Sequence, residues 1–194
     1  VGHFVGAIGG TAQYRRSSFL LDARGQRVFP EGISLIERPH LRGALGSAPF
    51  DSEGVATRDR ELVVHGVLDG YLLDAYSARK LGLVTTGNAG GVHNLVVQGH
   101  MLDPKTLLKK LGTGLLVTEM MGQGVNPVTG DYSRGAAGFW VENGEVTRPV
   151  HEITVAGNLR EMYRNIVAQG DDGTCAIDVQ GVGYEVSVPM STFY

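Results

Sequence analysis

Glycine occupies 29 of the 194 positions, and these glycines fall between short β-branched and aromatic runs rather than at a fixed period. That is about twice the usual share of roughly 7 %. A glycine in the middle of a helix or strand costs about 0.5–1 kcal/mol relative to alanine, so a chain this rich in glycine is not built from long regular elements. Its glycines belong at turns, bulges and places where two backbones approach closely. Only 7 prolines accompany them, with no Gly-X-Y repeat, which excludes collagen-like and low-complexity architectures.

Runs of strand character recur at Ser17–Asp22, Ile33–Glu37, Glu61–Val67, Val92–Val97, Gly114–Met120, Gly138–Glu142, Val146–Val155, Cys175–Val179 and Tyr184–Val188. Each is bounded by Gly, Asn, Asp or Pro. Asn143-Gly144 joins two of them and is the strongest short hairpin signal, while Asp22-Ala23-Arg24-Gly25 suits a second turn. Three short helices are expected. The first, Tyr71–Leu81, ends at Gly82 with Arg79 and Lys80 in its last turn. The second, Lys105–Leu111, follows an Asp103 cap and Pro104. The third, Leu159–Gln169, follows Asn158 and shows one apolar face of Leu159, Met162, Tyr163, Ile166 and Val167. Strands outnumber helices without strict alternation, which predicts a sheet-rich α+β fold with a large, mostly antiparallel, curled sheet.

Apolar residues make up 42 % and charged residues 19 %, with a formal charge of −3; this is globular composition. No basic stripe supports nucleic-acid binding. No apolar stretch reaches the roughly 18–20 residues of a membrane helix, so neither nucleic acid nor membrane is an expected partner. Cys175 is the only cysteine, which excludes an internal disulfide and fits a cytoplasmic protein. The first residues, Val1-Gly2-His3-Phe4, and the last, Pro189 to Tyr194, read as the interior of a longer sequence.

No self-contained catalytic motif is present. His151-Glu152 opens like a zinc-peptidase helix, but Val155 and Ala156 stand where a second histidine would fall. His3, His40, His65, His93, His100 and His151 are dispersed, with no pair at ligand spacing. Gly122-Gln123-Gly124 and Gly181-Val182-Gly183 lack the third glycine of a dinucleotide loop. One polar, glycine-rich segment stands out: Thr118–Arg134, TEMMGQGVNPVTGDYSR. Long loops inside compact domains are uncommon and often functional. Gln123, Asn126 and Asp131 offer hydrogen-bonding groups there, and Tyr132 and Arg134 are of the types most often found as interface hot spots. These five are the candidate binding residues of the chain. The alternative is a tight crossover stapled by an Asp131–Arg134 pair.

Two blocks, Pro49–Gly91 and Gly112–Asp172, contain the unbroken runs YSARKLG and GQGVNPVTGDYSRGAAGFWVENGE. Together with Gly9-Gly10-Thr11 they resemble the PmbA-type (TldE) subunit of the TldD/PmbA metallopeptidase family, over roughly residues 1 to 172 and at its C-terminal portion. The run Ser133–Trp140 and the stretch Tyr76–Gly91 are PmbA-like rather than TldD-like. That resemblance implies a cytoplasmic heteromer with a TldD-type subunit carrying the zinc in an HExxxH helix. Its substrate would be unfolded peptide, such as microcin-type precursors and antitoxins, and the older label is modulator of DNA gyrase. This chain would be the non-catalytic partner that shapes the peptide channel, with no catalytic residue and no metal of its own.

Two alternatives remain open. Val1-Gly2-His3 aligns with the end of the zinc helix, so His3 becomes a ligand if a preceding His and Glu complete it. A nucleic-acid-associated module is suggested by the gyrase label and by the tail. Residues from about 170 to 194 depart from the family and resemble the N-terminal strands of RuvA, the Holliday-junction branch-migration subunit, most clearly at Gly181–Val186. Residues 173–194 are therefore expected to be a foreign strand segment, and Cys175 is not assigned as a metal ligand.

Overall fold

Several local signals set the element boundaries in the computed structural model, which describes residues 1–171 and the backbone of Cys175–Ile177. Two brief helices open the chain, α1 (Gly2–Ala7) and α2 (Gly10–Tyr14). β1 (Ser34–Glu37), β2 (Arg60–Val64) and β3 (Val67–Leu68) follow, then α3 (Ala75–Leu81) and β4 (Leu95–Gln98). These four strands form one antiparallel sheet in the order β3-β2-β1-β4. β5 (Met101–Leu102) and α4 (Pro104–Leu111) lead into β6 (Gly114–Met121), β7 (Asp131–Glu142) and β8 (Glu145–Asn158), a three-stranded antiparallel sheet. After α5 (Leu159–Arg164), β9 (Ile166–Gly170) lies between β10 (Cys175–Ile177) and β5 in a third sheet. Among the described strands, only β5 and β9 pair in parallel. The fold is α+β, sheet-rich and mostly antiparallel, with its strands divided among three sheets.

Two compact units result. Val1–His100 with Pro127–Thr129 forms the first, and Met101–Asn126 with Gly130 onward forms the second. The first is organised on Phe4, Ile8, Leu20, Leu62, Val63 and Leu68, all at most 1 % exposed. Each such side chain contributes about 1.5–3 kcal/mol by leaving water. Helices as short as α1 and α2 cannot persist alone. Burial of Phe4, whose ring meets Phe29 edge-on at 5.0 Å, holds α1 in place. Ala136, Val141, Ile153 and Leu159 are the buried apolar counterparts in the second unit.

The capping signals are borne out. Asp103 accepts from the backbone N–H of Lys105 and Thr106 with Pro104 at the first helical position. Asn158 accepts from Arg160, and Gly82 closes α3 at φ 67°. Asn143 (φ 53°) and Gly144 (φ 78°) turn β7 into β8 with Glu142 opposite Glu145, the backbone of a primed two-residue hairpin.

Four expectations are corrected. Ser17–Asp22 is a set of turns, because the Ser18 hydroxyl accepts from Leu20 N–H and donates to the Ala7 carbonyl, giving the backbone an alternative to a ladder. Glu61–Val67 is not one strand but two: His65 (φ 46°) and Gly66 (φ 80°) reverse the chain between β2 and β3. The helix expected from Tyr71 begins at Ala75, since Asp74 caps it by accepting from Ser77 N–H while Leu72 bridges to Gly9. The helix expected to reach Gln169 stops at Arg164. Ile166 and Val167, stiff at χ1 and better suited to a strand, continue as β9 with a neighbour on each side. α1, α2, β5 and β9 had no counterpart in the sequence-based expectations. Of the strand expected over Cys175–Val179, the described residues Cys175–Ile177 form β10; the strand at Tyr184–Val188 and the turn at Gly181–Gly183 lie outside the described residues.

Gly54 and Gly66 share a φ near 80° but differ in space. A Cβ at Gly54 meets nothing within 4 Å, whereas one at Gly66 would sit 2.2 Å from the Phe29 carbonyl oxygen. Gly54→Ala should therefore cost about 1 kcal/mol of backbone strain, and Gly66→Ala about 3 kcal/mol once the clash is added. Urea melts of both variants check this. Equal losses would show that the close approach at Gly66 is not a constraint.

Candidate functional site

The glycine-rich segment folds back on itself. Ser133 N–H donates to the Gly124 carbonyl at 2.7 Å, Asn126 N–H to Asp131 at 2.8 Å and Gly130 N–H to Asn126 at 2.9 Å. Val125 bridges Tyr132, so residues 122–126 form a narrow tip that folds back along the start of β7. Asp131–Arg134 already belong to β7. Strand alternation then sorts the candidates. Tyr132 and Arg134 lie on one face and are half-buried, while Asp131 is exposed on the other and accepts from Asn158 Nδ2 at 3.3 Å. Gln123 and Asn126 are exposed on the tip.

Arg134 reaches across the hairpin, donating from Nη2 to the Met120 carbonyl at 3.5 Å. Its buried Nε has no hydrogen-bond partner among the described residues. Alternation along β7 puts the Asp131 and Arg134 side chains on opposite faces, which argues against the anticipated staple.

A zinc site needs three protein ligands with a fourth position left open. Among the described residues, no three His, Cys, Asp or Glu side chains come together to hold a metal. His3 is exposed on α1, and Cys175 lies in β10, of which only the backbone is described. The described residues do not fit a zinc ion.

The first unit also holds a buried polar cluster that no sequence motif revealed. Glu37, at the end of β1, is 2 % exposed. Its Oε1 accepts from Asn88 Nδ2 at 2.6 Å and from His93 N–H at 2.7 Å, with His93 Nδ1 at 3.2 Å. Arg60 Nη1 stands 3.8 Å from Glu37 Oε2 and donates to Asn88 Oδ1 at 2.7 Å, while Nη2 donates to the Tyr71 carbonyl at 3.0 Å. Burial lowers the Arg60 pKa, with Glu37 pulling the other way. Asp51, 4 % exposed, accepts from the N–H groups of Glu53, Val55 and Ala89, each at 2.9 Å. Burial by itself would raise its pKa, but these three backbone donors outweigh that and hold it below the ordinary value. Asp51-Ser52-Glu53-Gly54 carries the signature of an Asx turn, the one part of the cluster that local pattern could have flagged. The rest depends on residues as far apart as Glu37 and His93.

The family model described as the PmbA/TldA metallopeptidase C-terminal domain matches residues 1–190. The chain belongs to this family. Metalloprotease PmbA of Escherichia coli O157:H7 is 58 % identical over 171 residues, covering 88 % of this chain and 38 % of that protein. The Haemophilus influenzae PmbA homologue is 57 % identical over 173 residues, covering 89 % of this chain and 38 % of its own length. The chain thus spans well under half of the curated relatives it matches. Among solved structures, a Bacteroides thetaiotaomicron protein proposed as a modulator of DNA gyrase superposes with a TM-score of 0.83 at 36 % identity, over 88 % of this chain and 38 % of that one. TldE from Thermococcus kodakarensis gives 0.76 at 26 % identity, over 87 % and 42 %. This PmbA/TldD-family domain has, among its described residues, no helix long and apolar enough to cross a membrane.

The Asp51 carboxylate gives a pH test with a defined sign. Its native pKa lies below the ordinary 3.8, so its contribution is complete above that value and is lost as pH falls through the lower native one. Asp51→Ala should destabilise the chain by about 2 kcal/mol at pH 7 by leaving backbone donors unpaired. The gap from wild type should narrow as pH drops below 3.8. Denaturant melts from pH 7 to pH 2 measure it, and a gap that stays constant would rule out the charged carboxylate as the source.

Proposed function

We propose that this domain is the C-terminal part of the non-catalytic, PmbA/TldE-type member of a cytoplasmic two-subunit peptidase, working beside a zinc-bearing TldD-type subunit. The observation that carries this reading is the 58 % identity to metalloprotease PmbA over 88 % of the chain. The domain's part in the reaction is to hold unfolded peptide, of the microcin-precursor or antitoxin kind, within reach of the partner's metal. β6 and β8 are the outer strands of their sheet among the described residues, and an extended peptide added to such an edge gains main-chain hydrogen bonds with little dependence on sequence. Tyr132 and Arg134, on one face of the central strand β7, would contact side chains of that peptide, and Gln123, Asn126 and Asp131 its polar groups.

A second reading, that the parent subunit is itself a zinc peptidase, draws on the relatives' designation as metalloproteases and on His3 standing in the first helix. Zinc content of the full-length subunit separates the two, because the second reading draws the ligands that accompany His3 from outside these 194 residues. The 194-residue chain should retain far less than one zinc per molecule after dialysis and should not cleave an unstructured peptide, having no three convergent ligands. Stoichiometric zinc with chelator-sensitive cleavage would overturn the proposal.

With the TldD-type subunit present, Tyr132→Ala and Arg134→Ala should each lower peptide cleavage about tenfold while the melting temperature of the same samples stays put. Full turnover in the folded double variant would remove this face from the substrate path. A chain that elutes as a monomer and ignores the TldD-type subunit in size-exclusion chromatography would contradict the pairing.

A further inference from the structure

α2 and α3 approach each other at Gly10 and Ser77: a Cβ on Gly10 would lie 2.2 Å from the buried Ser77 hydroxyl oxygen. Gly10 N–H also donates to the Leu72 carbonyl at 2.8 Å. This crossing brings together two stretches about sixty residues apart in sequence. Tyr14, one turn beyond Gly10, meets Tyr76 edge-on with ring centroids 5.6 Å apart. The Arg15 guanidinium lies 5.8 Å from the Tyr14 centroid and the Lys80 ammonium 5.6 Å from that of Tyr76. Arg79 shares the Tyr76 face of α3, three residues on. Arg15, Arg79 and Lys80 are exposed, and Tyr76 is 50 % exposed.

None of the three cations is ion-paired to a carboxylate among the described residues; nearby, Arg16 is paired with Asp22 at 3.5 Å. The acidic groups at the other end of α3 are engaged locally, Asp74 with Ser77 and Glu53 with Ala75 N–H. Dipole compensation accounts for cations in the last turn of α3. It does not account for Arg15 on a different helix or for the exposed tyrosine between them.

We propose that this Tyr14–Tyr76 platform, with Arg15, Arg79 and Lys80 around it, is a docking surface for acidic peptide segments. Guanidinium forks match carboxylates bidentately, and tyrosine supplies contact area at low entropic cost. A single-stranded nucleic acid fits less well. The rings cross at 78° and each carries a cation over it, which leaves no parallel open platform for successive bases. This surface needs only the present chain and stands apart from any pairing with a TldD-type subunit.

Fluorescence anisotropy with the 194-residue chain tests it, using a labelled peptide of alternating glutamate and glycine, its glutamine counterpart and a labelled oligothymidylate. The glutamate peptide should bind at least about tenfold more tightly than the glutamine one, with the difference shrinking as salt is raised. Combined Arg15→Gln, Arg79→Gln and Lys80→Gln should abolish that preference. Lys80→Glu alone should weaken the glutamate peptide and strengthen a lysine–glycine one, a reversal that partial unfolding cannot produce. Equal binding of the two peptides, a preference retained in the triple variant, or tighter oligothymidylate binding lost on Tyr76→Leu would each overturn the proposal.

Discussion

The Glu37 carboxylate is the charge around which the first unit is arranged. An isolated carboxylate buried at 2 % exposure is untenable, so every chain segment that reaches it must bring a donor. β2 supplies Arg60, and the segment before β4 supplies the Asn88 amide and the His93 N–H. Asn88 in turn accepts from Arg60 and from the Thr86 hydroxyl, which ties the segment after α3 to the sheet. Buried pairs of this kind do not by themselves raise stability over an apolar core. Here the network fixes conformation: irregular segments with few apolar side chains are held because their polar groups have only one place to go.

The legible parts of the fold were those with local causes. Asp103-Pro104, Gly82 and Asn143-Gly144 each act through their own backbone neighbours, and each does what its residue type dictates. The misread parts were decided at a distance. Ile166-Val167 continues a convincing helical face, yet β10 offers Ile166 a ladder partner in Ile177 while β5 pairs with Gln169 and Gly170 of the same strand, and no short window of sequence contains both. Ser17–Asp22 has strand composition, but the Ser18 hydroxyl settles it through Ala7, eleven residues away.

The candidate site divides in the same manner. The narrow tip at residues 122–126 follows from its own turn chemistry, and the split of Tyr132 and Arg134 from Asp131 follows from period-two alternation once β7 is known to begin at Asp131. The Glu37 cluster and the tyrosine platform were not legible, because charges that look scattered along the chain converge only after the helices and sheets have formed. A net charge of −3 and the lack of a basic run describe the chain's average, whereas a surface is made of neighbours.

The pairing of β5 with β9 imposes an order on how the second unit is made. β7 and β8 are joined by two residues and can zip outward from Asn143-Gly144, an event of microseconds. Met101 must find Gln169 across nearly seventy intervening residues, a loop whose entropy is lost before any reward arrives. The long hairpin therefore forms while β9 is still unpaired with β5. Until the parallel ladder closes, the edge of Ile166–Gly170 that faces β5 is bare, and in that interval the strand is open to mispairing with another chain.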